Sequence, residues 1–365
     1  MQYNSFRRRF QWRGGNFTEN LRKAVRRLKR LILVLALLPL ILTACAPTPS
    51  DAEAEPRTVS VFAMDCYITL TAYDGADDAL SLASQELSSL EELWSVTLDA
   101  SEVATLNREK SLTVSPETLE LLTTARRVAE LSDGAFDVTI YPLVRAWGFT
   151  TGENRIPSAT ELAQLQALVG IDGITVTENL VQLDSATELD LGAIAKGAAG
   201  NRVCELLREY GVTSALVSLG GNVQVVGAKP DGTPWSIAIA DPQSPEAYLG
   251  VLQLINKAAV TSGGYQRYFE RDGVRYHHIL DPTTGAPASS GLLSATIIAD
   301  DGTLADALST AAFVLGLDGA AALWRSGELD FEMVLTDTDG TLHITKNLAE
   351  TFTPLDESRR VVVIT

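Results

Sequence analysis

The feature that most limits the fold is a change of rhythm near residue 213. Downstream of it, short β-type runs follow one another, each closed by Gly, Pro or Asp: "SALVSL", "VQVVGA", "WSIAIA" and "GVLQLI". Runs of that length between turn residues are strands. "RYFERDGVRYHHIL" predicts a hairpin turning at Asp272-Gly273, and "FEMVLTDTDGTLHI" another at Asp339-Gly340. "LSATIIAD" reads as a buried strand leading to a helix from about 303. Upstream the apolar spacing is mostly helical. Leu80, Ala83, Leu87, Leu90 and Trp94 predict an amphipathic helix over 76–94. Ser115-Pro116 opens a helix to about Leu131, with Pro at its first position. "SATE" (158–161) is a capping box for a short helix expected to stop at Gly170, and 194–210 reads as a helix ended by Gly211. "TVSVFAM" and "YITLTAY" predict two strands broken at Asp65-Cys66. The mixture implies an α+β fold: a single compact domain over 58–365, with mixed sheets and flanking helices and room for two lobes.

The beginning of the chain is of another kind. Ten Lys and Arg and one acid, Glu19, fill the first thirty residues, and fourteen uncharged residues follow, "LILVLALLPLILTA" (31–44). A membrane-spanning helix needs about 20 such residues, whereas this length and basic flank suit a signal peptide. The segment ends in Leu42-Thr43-Ala44-Cys45, which resembles a bacterial lipobox. Cleavage before Cys45 and diacylation of its thiol would leave a two-chain anchor, enough for stable membrane attachment. Residues 1–45 are therefore expected to be a lipoprotein signal, and the acidic, Pro-rich 46–57 a tether. The expected location is the extracytoplasmic face of the cell membrane.

Removing the leader takes Lys and Arg from 29 to 19 and Asp and Glu only from 46 to 45, so the net charge moves from −17 to −26. So acidic a surface repels phosphate backbones, which argues against nucleic-acid binding; an anionic substrate would need a bridging cation. Cys66 and Cys204 have no zinc-type spacing and read as two buried thiols, though a disulfide stays open.

Several stretches can carry chemistry. In "GTLADALSTAAFVLG" (302–316), Asp306, Ser309 and Thr310 share one face of the expected helix. A carboxylate beside hydroxyls is a ligand set for a hard cation, but a helix-start Asp with ordinary hydroxyls fits the spacing as well. In "ELDLGAIAKGAAGNRV" (188–203), glycines and Lys196 at a helix N-terminus make a plausible phosphate cradle. Trp147 and Phe149 read as a hydrophobic mini-core. His277 and His278, two of the three histidines, would point to opposite faces of a strand, so one at most faces a given site.

Taken in order, the motifs resemble the ApbE family, the FAD:protein FMN transferases. Met64-Asp65-Cys66 stands where that family has a Met-Gly-Thr-like strand end. "SEVATLN" (101–107), "SDGAFDVT" (132–139), "DLGAIAKGA" (190–198) and "GGN" (220–222) follow, then "TSGGY" (261–265), "HILDPTTGAP" (278–287) and "ADALST" (305–310). The resemblance covers roughly 58–350. It implies an ApbE-like, T-fold-like domain that binds FAD with Mg2+, passes FMN to a Thr or Ser hydroxyl of an acceptor redox flavoprotein, and releases AMP. By the same resemblance Asp306, Ser309, Thr310 and an oxygen of Ala193 would ligate Mg2+. FAD would contact Met64, Ala135, Phe136, Asp137, Asp190, Lys196 and Leu280, and Thr97 stands where many members stack a Tyr. His278 would be the general base, with pKa near neutrality in its unperturbed state. Ala198 and Asn201 replace the family's Tyr and Asp. Two other readings fit the same motifs: an Mg2+-dependent FAD pyrophosphatase giving FMN and AMP, and a non-catalytic flavin-binding lipoprotein.

Overall fold

In the computed structural model, which describes residues 55–73 and 76–365, the chain begins with a tight hairpin. Strands β1 (Arg57–Ala63) and β2 (Cys66–Ala72) pair antiparallel, and Met64 and Asp65 turn between them with φ of 51° and 59°. The expected leader, Cys45 and residues 46–54 of the expected tether lie outside the described residues. Next come α1 (Ala76–Trp94), α2 (Glu102–Glu109), β3 (Ser111–Thr113), α3 (Pro116–Leu131), α4 (Tyr141–Trp147) and α5 (Ala159–Gln166). Strands β4 (Ile174–Thr177) and β5 (Leu180–Leu183) precede α6 (Ala195–Glu209). The strand-rich part holds β6 (Ala215–Leu219), β7 (Asn222–Val226), β8 (Trp235–Asp241), β9 (Ser244–Leu254) and β10 (Ala258–Gly263). It continues with β11 (Tyr268–Arg271), β12 (Val274–His277), β13 (Leu292–Ala299) and α7 (Gly302–Ser326). Strands β14 (Glu332–Asp337), β15 (Leu342–Thr345), β16 (Phe352–Pro354) and β17 (Val361–Ile364) end the chain.

The architecture is three layers. A nine-stranded sheet, in the order β1-β2-β6-β7-β10-β13-β14-β15-β17, forms the middle. Its neighbours are antiparallel except β15 and β17, which run parallel. Helices α1, α6 and α7 cover one face, and the small sheet β16-β9-β8 covers part of the other. Side chains of a strand alternate between faces. Ile297 of β13 accordingly packs into the helix-side core, while its neighbour Ile298 meets Trp235, Ile237 and Leu252 on the other side. β13 is apolar along most of its length because both faces are covered. Residues 54–365 form one compact unit, so layers rather than two lobes describe it. A separate small cluster of Leu143, Trp147 and Leu280, flanked by Phe149, Phe269 and Tyr276, seats the β11–β12 hairpin.

Two expectations need adjusting. α5 ends at Gln166, not Gly170. Leu168 and Val169 make three-residue turns back to Leu165 and Gln166, and the Gly170 N–H donates to Thr139 Oγ1 at 2.7 Å. Cys66 is only half-buried; both it and the buried Cys204 are free thiols, and burial pushes Cys204 up to about 12.

Candidate active site

The crossing of α6 and α7 builds the centre of the site. A side chain at Gly197 would place its Cβ 2.1 Å from the Gly302 oxygen and 2.6 Å from Asp306 Cβ, so only glycine allows this approach. Gln224 Nε2 donates to the Gly197 carbonyl at 2.8 Å, and Asn201 Oδ1 accepts from Gly302 N at 2.8 Å. Asn201 also donates to Thr303 Oγ1 at 3.0 Å, so it clamps the start of α7. The close contact puts the α6 N-terminus against Asp306. The Gly197 N–H donates to Asp306 Oδ2 at 2.8 Å, and Asn222 Nδ2, just after the Gly220-Gly221 turn, donates to Oδ1 at 3.0 Å.

Asp306 is 4% exposed, and both of these partners are neutral. A buried carboxylate is costly without a counter-charge. Ser309 and Thr310 lie on the next turn, as the spacing suggested. Ser262, at the end of β10, has its hydroxyl 2.8 Å from Ser309 Oγ and 3.2 Å from Thr310 Oγ1. This all-oxygen donor set with a single carboxylate fits a hard divalent cation that shares its remaining positions with phosphate oxygens.

Lys196, at the second position of α6, is the electrostatic hub. Its ammonium donates to Gly192 O at 3.4 Å and acts on three groups around it. It favours the ionised forms of Asp190 and Cys66 and disfavours protonation of His278. Burial dominates for the two acids and raises both Asp190 and Cys66. Asp190 Oδ1 accepts from Gly192 N at 2.8 Å, while its own N–H donates to Val138 O at 2.7 Å. Asn107 grips the preceding residue from both sides, donating to Leu189 O at 2.9 Å and accepting from Leu189 N at 2.6 Å. The "SEVATLN" motif thus holds the irregular segment that carries Asp190, which follows the isolated Glu188–Ile140 bridge and not the end of a strand. Asp137 lies on the segment joined to it. Burial raises its carboxyl, and Oδ1 accepts from the Thr139 amide and hydroxyl at 2.8 and 2.7 Å.

The two histidines separate as their alternation requires. The His277 ring meets Phe313 edge-on at 5.5 Å, and its Nε2 lies 3.1 Å from the Ala288 oxygen. His278 extends the β11–β12 ladder, its N–H donating to Arg267 O at 3.0 Å. Its ring Nδ1 lies 3.1 Å from the same oxygen. A carbonyl only accepts, so Nδ1 carries the proton and Nε2 keeps a free lone pair. Burial pushes His278 down to about 4, with Lys196, Arg267 and His277 adding to the effect and the Arg267 carbonyl opposing it. The ring is therefore neutral at physiological pH. After it, Asp281 Oδ1 accepts from Thr283 N at 2.8 Å, and Trp147 Nε1 donates to Gly285 O at 2.8 Å, which pins the turn.

The remaining expected residues are placed as follows. Met64 occupies the β1–β2 turn, its N–H donating to Glu91 Oε1 at 2.9 Å. Ala193 precedes α6 and is half-buried. The ring of Phe136 is packed in the helix-side core, Ala135 is buried beside it in sequence, and Leu280 sits in the small Trp147 cluster. Thr97 is on an exposed loop, bonded to Ser95. Asn222, Ser262, Asn107 and Arg267 were not expected as site residues. The first three lie inside quoted motifs, where they read as turn or helix-end polars.

Residues 64–335 match the ApbE family. The chain belongs to the ApbE family. An FAD:protein FMN transferase of Klebsiella pneumoniae is 33% identical over 311 residues, covering 83% of this chain and 96% of that one. One from Treponema pallidum is 38% identical over 260 residues, covering 64% and 70%. Among solved ApbE structures, the Thermotoga maritima protein is 31% identical with a TM-score of 0.77, covering 81% of this chain and 99% of that one. The Vibrio cholerae flavin transferase ApbE is 29% identical with a TM-score of 0.73, covering 82% and 99%. The three-layer fold is thus that of ApbE proteins, and the α6–α7 crossing lies within the matched span.

Proposed function

We propose that this chain moves FMN from FAD to a Thr or Ser hydroxyl of an acceptor redox flavoprotein, with a divalent cation, Mg2+, at Asp306. That it is a flavin transferase follows from its family and from the name its relatives share. The observation that carries the cation reading is the buried Asp306 carboxylate, held by two neutral N–H donors beside the hydroxyls of Ser262, Ser309 and Thr310. Asp306, Ser309 and Thr310, with the Ala193 carbonyl, would hold the ion. When bound there, it supplies positive charge against the phosphate oxygens as the diphosphate is cleaved.

The protein groups divide the rest of the work. Lys196 and the N-terminal amides of α6 present positive charge to the diphosphate. His278 Nε2 accepts the proton of the acceptor hydroxyl, whose oxygen forms a bond to the FMN phosphorus. The bond from that phosphorus to the bridging oxygen breaks, and AMP leaves. Nδ1–H, fixed on the Arg267 carbonyl, keeps the ring in the tautomer this step needs. Flavin contacts fall to Met64, Asp137, Asp190 and the turn after Leu280. The location that goes with this is the extracytoplasmic membrane face, through a lipid on Cys45.

The test is incubation with FAD, Mg2+ and an acceptor, reading AMP release and a mass gain of FMN on the acceptor. Both together support transfer. AMP and free FMN without labelled acceptor would make it a pyrophosphatase, and bound FAD without AMP a flavin-holding protein. Asp306→Ala and EDTA should each abolish AMP release while the circular dichroism spectrum stays unchanged.

A further inference from the structure

The His278 ring meets Phe149 edge-on at 6.4 Å, and its two hydrogen bonds both go to one residue. The Arg267 carbonyl accepts both from the backbone N–H and from ring Nδ1 of His278, at 3.0 and 3.1 Å. Arg267 itself lies between the end of β10 and the start of β11, outside both strands. Its guanidinium reaches across to the turn between β1 and β2 and pairs with Asp65. That turn is a fixed post, because the neighbouring Met64 N–H is bonded to Glu91 of α1. Asp65 has a φ of 59°, a left-handed conformation that costs an L-residue about 1 kcal/mol and glycine nothing. The pair is 51% and 70% exposed, and pairs so exposed add little to global stability. What such a pair can do is hold two surface segments in register.

We propose that the Asp65–Arg267 pair is a positioning element for His278, tying the loop that fixes its tautomer to the turn that carries Met64. The proposal rests on the transferase reading for the importance of His278 but not for its own geometry. With the pair intact, the Arg267 carbonyl stays under Nδ1, and Nε2 stays the proton acceptor. With the pair cut, the loop loosens and the ring samples the other tautomer.

The chain has only three histidines, so imidazole 15N spectra of the whole protein are resolvable, with His278→Gln assigning the signal. In the unaltered protein His278 should be the Nδ1–H tautomer. Asp65→Asn and Arg267→Met, which keeps the carbonyl, should each give a mixture. Both should lower kcat for FMN transfer about threefold to fivefold, the scale of one exposed ion pair, with KM for FAD within about twofold. The double variant should be no worse than either single one. Asp65→Glu and Arg267→Lys, which keep the pair, should restore the spectrum and the rate. Unchanged tautomers in the single variants, or additive losses in the double, would overturn the proposal. So would a fall in unfolding midpoint that tracks the loss, or a raised KM with kcat held, which would make Arg267 a substrate contact. If the unaltered protein transfers no FMN at all, the transferase reading fails, and the spectra still decide the positioning claim.

Discussion

His278 is where burial and chemistry bear most directly on each other. Its folded value near 4 lies below the unperturbed value of about 6.5. The unfolded chain therefore binds more protons between those limits. The stability this neutral ring contributes is present above pH 6.5 and is lost as pH falls through about 4. Stability measured by urea unfolding should decline over that window, and His278→Gln should flatten the decline. In kinetics, kcat/KM reports the free enzyme, so its acid limb should lie near pH 4; a limb at 6.5 would assign the proton transfer elsewhere. His278→Ala should slow transfer by about 10²–10⁴-fold while FAD still binds. His277→Ala should change the rate little, because that ring packs on Phe313, and should instead cost about 1–3 kcal/mol of stability. If His277→Ala is the change that stops transfer, the roles are reversed.

At the scale of elements, the α6–α7 crossing matters most. Gly197→Ala would drive a methyl group into backbone at Gly302, where no flexible side chain can give way. Overpacking of this kind costs about 1–3 kcal/mol. Because the Gly197 N–H also holds Asp306, the variant should lose both urea midpoint and Mg2+-dependent AMP release. An unchanged midpoint would mean the helices separate freely. The sequence made the elements legible where turn chemistry was strong. The helix over 76–94, the Ser115-Pro116 start, and the turns at Asp272-Gly273 and Asp339-Gly340 all stand as expected. Pairing was harder to read. β4 and β5 form a local hairpin, but the addition of β3 to it and the parallel addition of β17 depend on contacts distant in the chain, which local periodicity does not carry. The site followed the same division. Asp306, Ser309 and Thr310 share a face by helix geometry alone, but Ser262 and Asn222 reach them from strand ends whose placement only the fold determines. Asn201 is a similar case, since its partner Gly302 is 101 residues away.

For the whole molecule, the proposed membrane location is tested at Cys45. If Cys45 is lipidated, Cys45→Ser should leave an unprocessed precursor, and the unaltered protein should partition into detergent. A mature form in the aqueous phase beginning elsewhere than at position 45 would refute this. The central sheet has a further consequence. Its nine strands lie across the sheet in the order in which they occur along the chain, from β1 at one edge to β17 at the other. No strand must be threaded between two that have already paired. The sheet can grow at a single advancing edge as the polypeptide lengthens, with Asn222, Ser262 and then Asp306 arriving in turn. The cluster around Asp306 is completed only when α7 docks, so a partly made chain has a sheet to build on before it has that cluster.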